Sequence, residues 1–409
     1  MAFKKFFTIA FRDLARNRRR TALTALAVAL GLVVVMAMSS LIAGMYANML
    51  KDNIRLVTGH LQIRKESYDD SKASLLSRDL LEDGENWAVQ VEALPEVQSA
   101  APVLLSGGLL STSQESTSIG VLGIDPEDAF HEPIKDGITA GEFLKSDDRG
   151  RILIGQILAD EMGITVGRRV SLAASNADGK AQEGIFTVAG LYDTGFPGID
   201  QNRVILPLAQ LQSFSGVGDR VSSIILVLHD REDTAQMAGR FTGPDMQVKT
   251  WEDLNAILLE TLEMGIVYYN ILYGIVFLVV AVLIANTLLM SVYGRAREIG
   301  ILASLGMKQG QIMLLFFLEG FMIALFGIAL GWVLGMGAVS YLVNVGFSIP
   351  SETASMAEGF AMGSTLYGGY NMAEFAIFSV VLLLIVSLVT LYPARFAAKM
   401  EPVEALHSI

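Results

Sequence analysis

The chain has 409 residues, 52% of them hydrophobic and 18% charged, a balance more apolar and less charged than that of an ordinary soluble domain. Its 30 basic and 42 acidic residues leave a net charge of −12, and no nucleic-acid partner is expected. The absence of cysteine rules out disulfides and any acylated cysteine of its own.

Residues 1–20 carry Lys4, Lys5, Arg12, Arg16, Arg18, Arg19 and Arg20 against one acid, Asp13. Phe3, Phe6, Phe7, Ala10, Phe11 and Leu14 fall on one helical stripe there, which predicts an amphipathic elbow helix in the inner-leaflet interface. Residues 21–50 hold thirty positions without a charge, more than the roughly 20 apolar residues that cross a hydrocarbon core. As a helix that run is about 45 Å long. Its apolar core is too long for a signal peptide and no A-x-A site follows it, so it reads as an uncleaved anchor.

Between 51 and 250 the pattern becomes that of an α+β domain. "HLQIRKE", "STSIGVLGI", "RILIG", "RRVSLAA", "GIFTVAGLY", "NRVILP" and "SSIILVLHD" predict strands bounded by Gly, Asp and Pro. "NWAVQVEAL", "QILADEMG", "LAQLQSF" and "DTAQMAGRF" predict short helices, and strands and helices mix without a regular βαβ period. From Trp251 onward, Leu254, Ile257, Leu258 and Leu262 sit at helical spacing and predict one unbroken helix over 251–293, a stalk continuing into the second membrane span. Residues 311–345 and 375–392 supply the third and fourth spans.

Charge fixes the orientation. The segment 47–265 holds 18 basic and 34 acidic residues, and 346–374 holds no basic residue. The flanks 1–20 and 294–310 are net basic, and the tail after Tyr392 carries Arg395 and Lys399. Basic flanks stay inside, so both termini and the 294–310 loop are cytoplasmic, and the large domain and the 346–374 loop lie outside.

Three features within this frame bear on function. The loop "GRAREIGILASLGMKQGQI" is a short amphipathic helix, too short to span, with Ile299, Leu302 and Leu305 as its apolar face. Gly327, Gly331 and Gly335 recur every four residues in the third span, a small-residue stripe that admits close packing within the subunit or across a dimer. Glu319 is the one ionisable group well inside a run, shallow enough to reach the inner interface or a basic partner. The four histidines (60, 131, 229 and 407) have no metal-ligand spacing, and no enzyme site is evident. The nearest fragment to a phosphate-binding loop, "DGKA", lacks its first glycine and its hydroxyl residue.

"REIGILASLGMKQGQIMLLFFLEGFMIALFGIALGWVLG" and "YPARFAAKMEPVEAL" resemble the hallmark blocks of ABC transporter permeases of the MacB, LolC/LolE and FtsX type. "GIDPE", "ILIGQILADEMGITVGRRVSL" and "FTVAGLYDTG" resemble that family's extracytoplasmic domain. The resemblance implies a MacB-like periplasmic core domain, split into a porter part (51–118 and 221–250) and an inserted part (119–220). It implies paired permeases, identical or paralogous, each on a cytoplasmic ABC ATPase that binds the ATP and Mg, with no cofactor on this chain. Arg297, Glu298, Ile299, Gly300, Leu302, Leu305 and Gly306 take the family's ATPase-coupling helix by carry-over. The large outer segment and unfused ATPase are most similar to LolC/LolE, which implies lipoprotein release from the inner membrane, candidate lateral entry at Tyr46, Asn48 and Tyr268, and a periplasmic carrier or adaptor. A MacB-like efflux or peptide-export permease, and an FtsX-like regulator of a cell-wall enzyme, stand as alternatives.

Overall fold

The computed structural model describes residues 2–16, 18–69, 73, 75–241, 245–348 and 365–400. Helix α1 (Ala2–Arg16) is followed by α2 (Arg18–Asn53), which opens into one π-helical turn over Ile54–Thr58. The membrane helix thus starts three residues before the expected 21. The Thr21 hydroxyl donates to the Leu14 carbonyl at 3.2 Å and pins the joint between the two helices.

The chain divides into two compact units, of which 48–260 forms one. Its described elements are β1 (Leu61–Lys65), α3 (Gly84–Glu92), β2 (Val97–Ser111), β3 (Ser116–Ile124), α4 (Glu132–Asp136), β4 (Ile138–Gly141), β5 (Arg151–Gly155), α5 (Gln156–Glu161), β6 (Arg169–Ser175), β7 (Ala181–Tyr192), α6 (Pro197–Asp200), β8 (Arg203–Pro207), α7 (Leu208–Ser215), β9 (Ser223–Leu228), α8 (Thr234–Ala238), β10 (Met246–Thr250) and α9 (Trp251–Leu254). Ten strands form one mixed sheet in the order β10-β1-β9-β2-β3-β8-β5-β7-β4, with β6 pairing both β2 and β7.

Central strands are buried on both faces. Ile152 and Ile154 sit in one core and Leu153 in the other; Val204 and Leu206 are likewise divided from Ile205. That is why these strands read as unbroken apolar runs rather than as alternations. The strand that joins everything, β2, was not among the expected ones. Its sequence "VQSAAPVLLSGGLLS" carries a proline and two glycines, which normally mark strand ends. Gly108 is there because a Cβ would lie 2.8 Å from Val121 and 2.9 Å from the Ala173 carbonyl oxygen, between the two flanking strands.

The first half of β2, to Val103, pairs with β9; from Leu104 it pairs with β3, and from Gly108 also with β6. Strand β2 thus changes partners near 103–104, and the expected boundary at 118/119 falls within β3.

The second unit comprises 1–47, 261–348 and 365–409. The remaining helices are α10 (Ala256–Gly294), α11 (Ala296–Ser304), α12 (Gln309–Asn344) and α13 (Met372–Ala398). The expected unbroken helix over 251–293 is interrupted. The Thr250 side chain caps α9, which ends at Asn255 (φ −103°, ψ 17°). Trp251 O accepts from the Asn255 backbone N–H at 3.0 Å and from the Asn255 side-chain amide at 2.8 Å, so the break lies in the dihedral angles of Asn255 and not in a lost helical bond. Helix α10 runs 39 residues from there, about 58 Å at 1.5 Å each.

Four helices among the described residues (18–58, 256–294, 309–344 and 372–398) are long and apolar enough to cross a membrane. Helix α13 continues through Pro393 to Ala398, so the expected tail from 393 begins as helix, and "EPVEAL" lies outside the described residues. Of the outer loop, β11 (Phe347–Ser348) and β12 (Thr365–Leu366) pair antiparallel.

Candidate functional site

Helix α11 begins at a sharp turn after Gly294, with Arg295 at φ −120°. It stops at Gly306 (φ +91°), where Gly306 N–H donates to Ala303 O and Met307 N–H to Leu302 O. A glycine meets that left-handed demand at least cost. The nine-residue helix has two faces. Ala296, Ile299 and Gly300 are buried, Ile299 within a cluster with Val292, Ile312, Phe316, Ala394 and Ala397. Arg297, Ile301 and Leu305 are exposed, Leu305 at 80%, while Leu302 is half-buried. The expected apolar face of Ile299, Leu302 and Leu305 is thus divided: Ile299 anchors the helix to its own subunit and Leu305 stands outward.

What holds the helix in place is a buried ion cluster centred on Arg295. Its guanidinium, 11% exposed, bonds Asp13 of α1 at 2.6 Å, Glu298 of α11 at 2.9 Å and Glu319 of α12 at 3.2 Å. It also lies 5.5 Å from the Phe316 ring centroid. Arg16 Nη2 donates to both Glu298 oxygens, at 2.7 and 2.8 Å. Burial alone would raise the Glu298 carboxyl, but the hydrogen bonds from Arg295 and Arg16 outweigh it and hold it below its ordinary value. Glu298 is therefore committed within the subunit. Glu319, which the sequence left without a named partner, closes the same cluster. Arg295 was the residue that sequence reasoning missed; only the clustering of Arg-x-Arg-Glu hinted at it.

The amphipathic stripe of α1 resolves in the same way. Ala10 and Leu14 are buried and Phe6 is half-buried against the helical core, while Phe7 and Phe11 are exposed. One helix thus carries Asp13 and Arg16 to the cluster and leaves two aromatic rings for the lipid interface.

The glycine stripe of α12 packs within the subunit, against α2. A Cβ at Gly327 would lie 2.5 Å from Val28 and 2.9 Å from the Ala25 carbonyl oxygen; at Gly331 it would meet Leu32 at 3.0 Å, and at Gly335 the Met36 Sδ at 2.7 Å. At Gly337, off the stripe, nothing lies within 4 Å. Of the two packings open at the sequence level, the intramolecular one is present.

At the other end of the same helices, α2, α10 and α13 enclose a cavity of about 350 Å³. Ile42, Tyr46, Tyr269 and Tyr273 supply its walls, and Glu374 its charge. The Glu374 carboxylate accepts from Ser39 at 2.5 Å and from Asn371 at 2.9 Å. Of the expected lateral-entry residues only Tyr46 lines this space. Tyr268 is 73% exposed on another face of α10, and Asn48 is exposed and belongs to the other compact unit. Sequence reasoning passed over Tyr269 and Tyr273, one position and one turn and a half beyond Tyr268.

Four spans around a buried cytoplasmic ion cluster, with one large sheet domain between the first two, define a multi-pass membrane protein built to hold a soluble domain on one side. The MacB-like periplasmic core domain family matches residues 21–243 and the FtsX-like permease C-terminal family matches 270–402. The chain belongs to this family of ABC transporter permeases, and the 48–260 domain is periplasmic. The lipoprotein-releasing system transmembrane protein LolC of Xylella fastidiosa (strain 9a5c) is 24% identical over 401 residues, covering 93% of this chain and 92% of that protein. The macrolide export ATP-binding/permease protein MacB of Shewanella oneidensis is 25% identical over 97% of this chain, which spans 60% of it. The crystal structure of the periplasmic region of MacB from Actinobacillus actinomycetemcomitans covers 51% of this chain at 14% identity, with a TM-score of 0.35.

Proposed function

We propose that this permease works in the inner membrane and passes the work of a separate cytoplasmic ATPase through α11 to its periplasmic domain, releasing lipid-anchored proteins from the outer leaflet. The observation that carries the reading is the Arg295 cluster. It ties the helix facing the ATPase to two other elements at once, so a displacement of α11 must move α1 and α12 with it. The outward residues Arg297 and Leu305, with half-buried Leu302, form the docking face. Ile299, Gly300 and Gly306 set its shape, and Glu298 sets its position.

The cargo assignment is supported by the periplasmic-side cavity and by similarity to LolC along nearly the whole chain. A cavity with apolar walls and a bonded carboxylate at its rim suits an acyl chain drawn sideways from lipid. A second permease, identical or paralogous, completes the transporter, and a periplasmic carrier or adaptor accepts the product. Similarity to MacB keeps export of a periplasmic cargo as the competing outcome. A photoreactive residue at Tyr46 or Tyr273 should cross-link a lipoprotein and lose it when ATP is added. Cross-linking confined to the periplasmic domain would assign the chain to export instead.

A further inference from the structure

We propose that the periplasmic domain carries a binding site for a small apolar carboxylate, in a cavity lined by Arg203 and His131. This site is separate from the membrane-level cavity and does not depend on the cargo assigned above. The space is about 270 Å³, room for about nine water-sized groups at roughly 30 Å³ each. Leu105, Leu122, Phe130 and Ile225 are among its apolar walls, and Arg203 is the one charged residue lining it among the described residues.

Two polar groups there are unsatisfied. His131 is only 2% exposed, and neither ring nitrogen has a hydrogen-bond partner among the described residues. Burial pushes the imidazole down to about 3, so it is neutral and offers one N–H. The Phe130 ring meets it edge-on, with centroids 5.3 Å apart, which fixes the plane of that donor. The half-buried Arg203 guanidinium has no ion pair or hydrogen bond among the described residues. A buried donor left unpaired, as on His131, costs free energy, and the guanidinium lining the same cavity supplies a positive charge. A carboxylate accepting from both groups, with a short apolar tail on Leu122 and Ile225, satisfies every one of these surfaces. An amine would face the guanidinium, and a neutral alkane would leave both donors unpaired.

The test uses the full-length permease in nanodiscs and octanoate bearing a terminal diazirine. After irradiation, peptide mapping should place label on segments containing Leu122, Phe130 or Ile225. Excess octanoate should compete and octylamine should not. R203Q should weaken labelling about tenfold or more, as expected for loss of a charged hydrogen bond, with an unchanged melting temperature. I225W, which fills the space and leaves the charge, should give the same loss; if neither variant folds, the competition pattern of the unaltered protein decides. Competition by N-acetyl-leucine as well would identify a peptide C-terminus as a source of the carboxylate, and octanoate alone an alkyl acid. Label confined to the membrane helices, or cavity label that octylamine competes equally well, would overturn the proposal.

Discussion

Replacing Gly327 by alanine adds one methyl group where there is no room for it. The new Cβ would sit 2.5 Å from Val28 Cβ and 2.9 Å from Ala25 O, a β-branched stem and a backbone atom that cannot rotate away. Helices α2 and α12 must then separate by several tenths of an ångström, at an overpacking cost of about 1–3 kcal/mol. Alanine's better helix propensity offsets up to about 1 kcal/mol of this. The same change at Gly337 brings the propensity gain without the clash, because that position is open. Gly331→Leu, larger still against Leu32 and Ala29, should disrupt the pair outright, whereas Gly335→Ala meets the flexible Met36 thioether and should be milder. Thermal unfolding of the purified permease in one detergent checks the series. The expected order of melting temperatures is Gly337→Ala at or above wild type, then Gly335→Ala, then Gly327→Ala. Equal melting of Gly327→Ala and Gly337→Ala would refute the packing argument.

Arg295→Gln removes the cation between Asp13 and Glu319, leaves Glu298 to Arg16 alone, and should cost about 3–5 kcal/mol, read as loss of assembled complex from membranes. Arg295→Lys keeps the charge but cannot reach three carboxylates in one plane, and should fall between. Leu305→Asp, at an exposed position, should leave melting unchanged and lower ATPase stimulation by transport cargo. In the periplasmic domain, burial together with Asp125, Glu92 and Glu85 raises the Asp128 carboxyl to about 7. The folded state therefore holds a proton that the unfolded state releases near pH 4, and stability falls as pH rises through that window. Asp128→Asn should raise the melting temperature more at pH 8 than at pH 5; equal gains at both would contradict this.

Where local hydrophobicity and turn residues decide an element's place, the sequence disclosed it: the four spans and the strands β1, β3 and β5 to β9 are patterns of that kind. What stayed hidden depends on partners far along the chain. Strand β2 has the composition of a loop and is a strand only because β3, β6 and β9 pair with it. The break at Asn255 lies in the dihedral angles of a single residue within an otherwise helical pattern. Ile299 and Leu305 occupy one predicted face, yet the fold buries the first and exposes the second, because α12 and α13 cover only part of α11. The ion cluster joins residues 13, 16, 295, 298 and 319, and no spacing rule connects the first two with the rest.

The native chain has no cysteine, so single cysteines report without background. The most direct test of the coupling assignment places one at Leu305, and in a second protein at Ile299, opposite a cysteine in the groove of the co-expressed ATPase. Leu305→Cys should form a disulfide with the ATPase that ATP binding alters, while Ile299→Cys stays unreactive inside the subunit. A Leu305→Cys thiol labelled only by reagents added from the periplasmic side, or a cross-link from Ile299→Cys alone, would contradict the account.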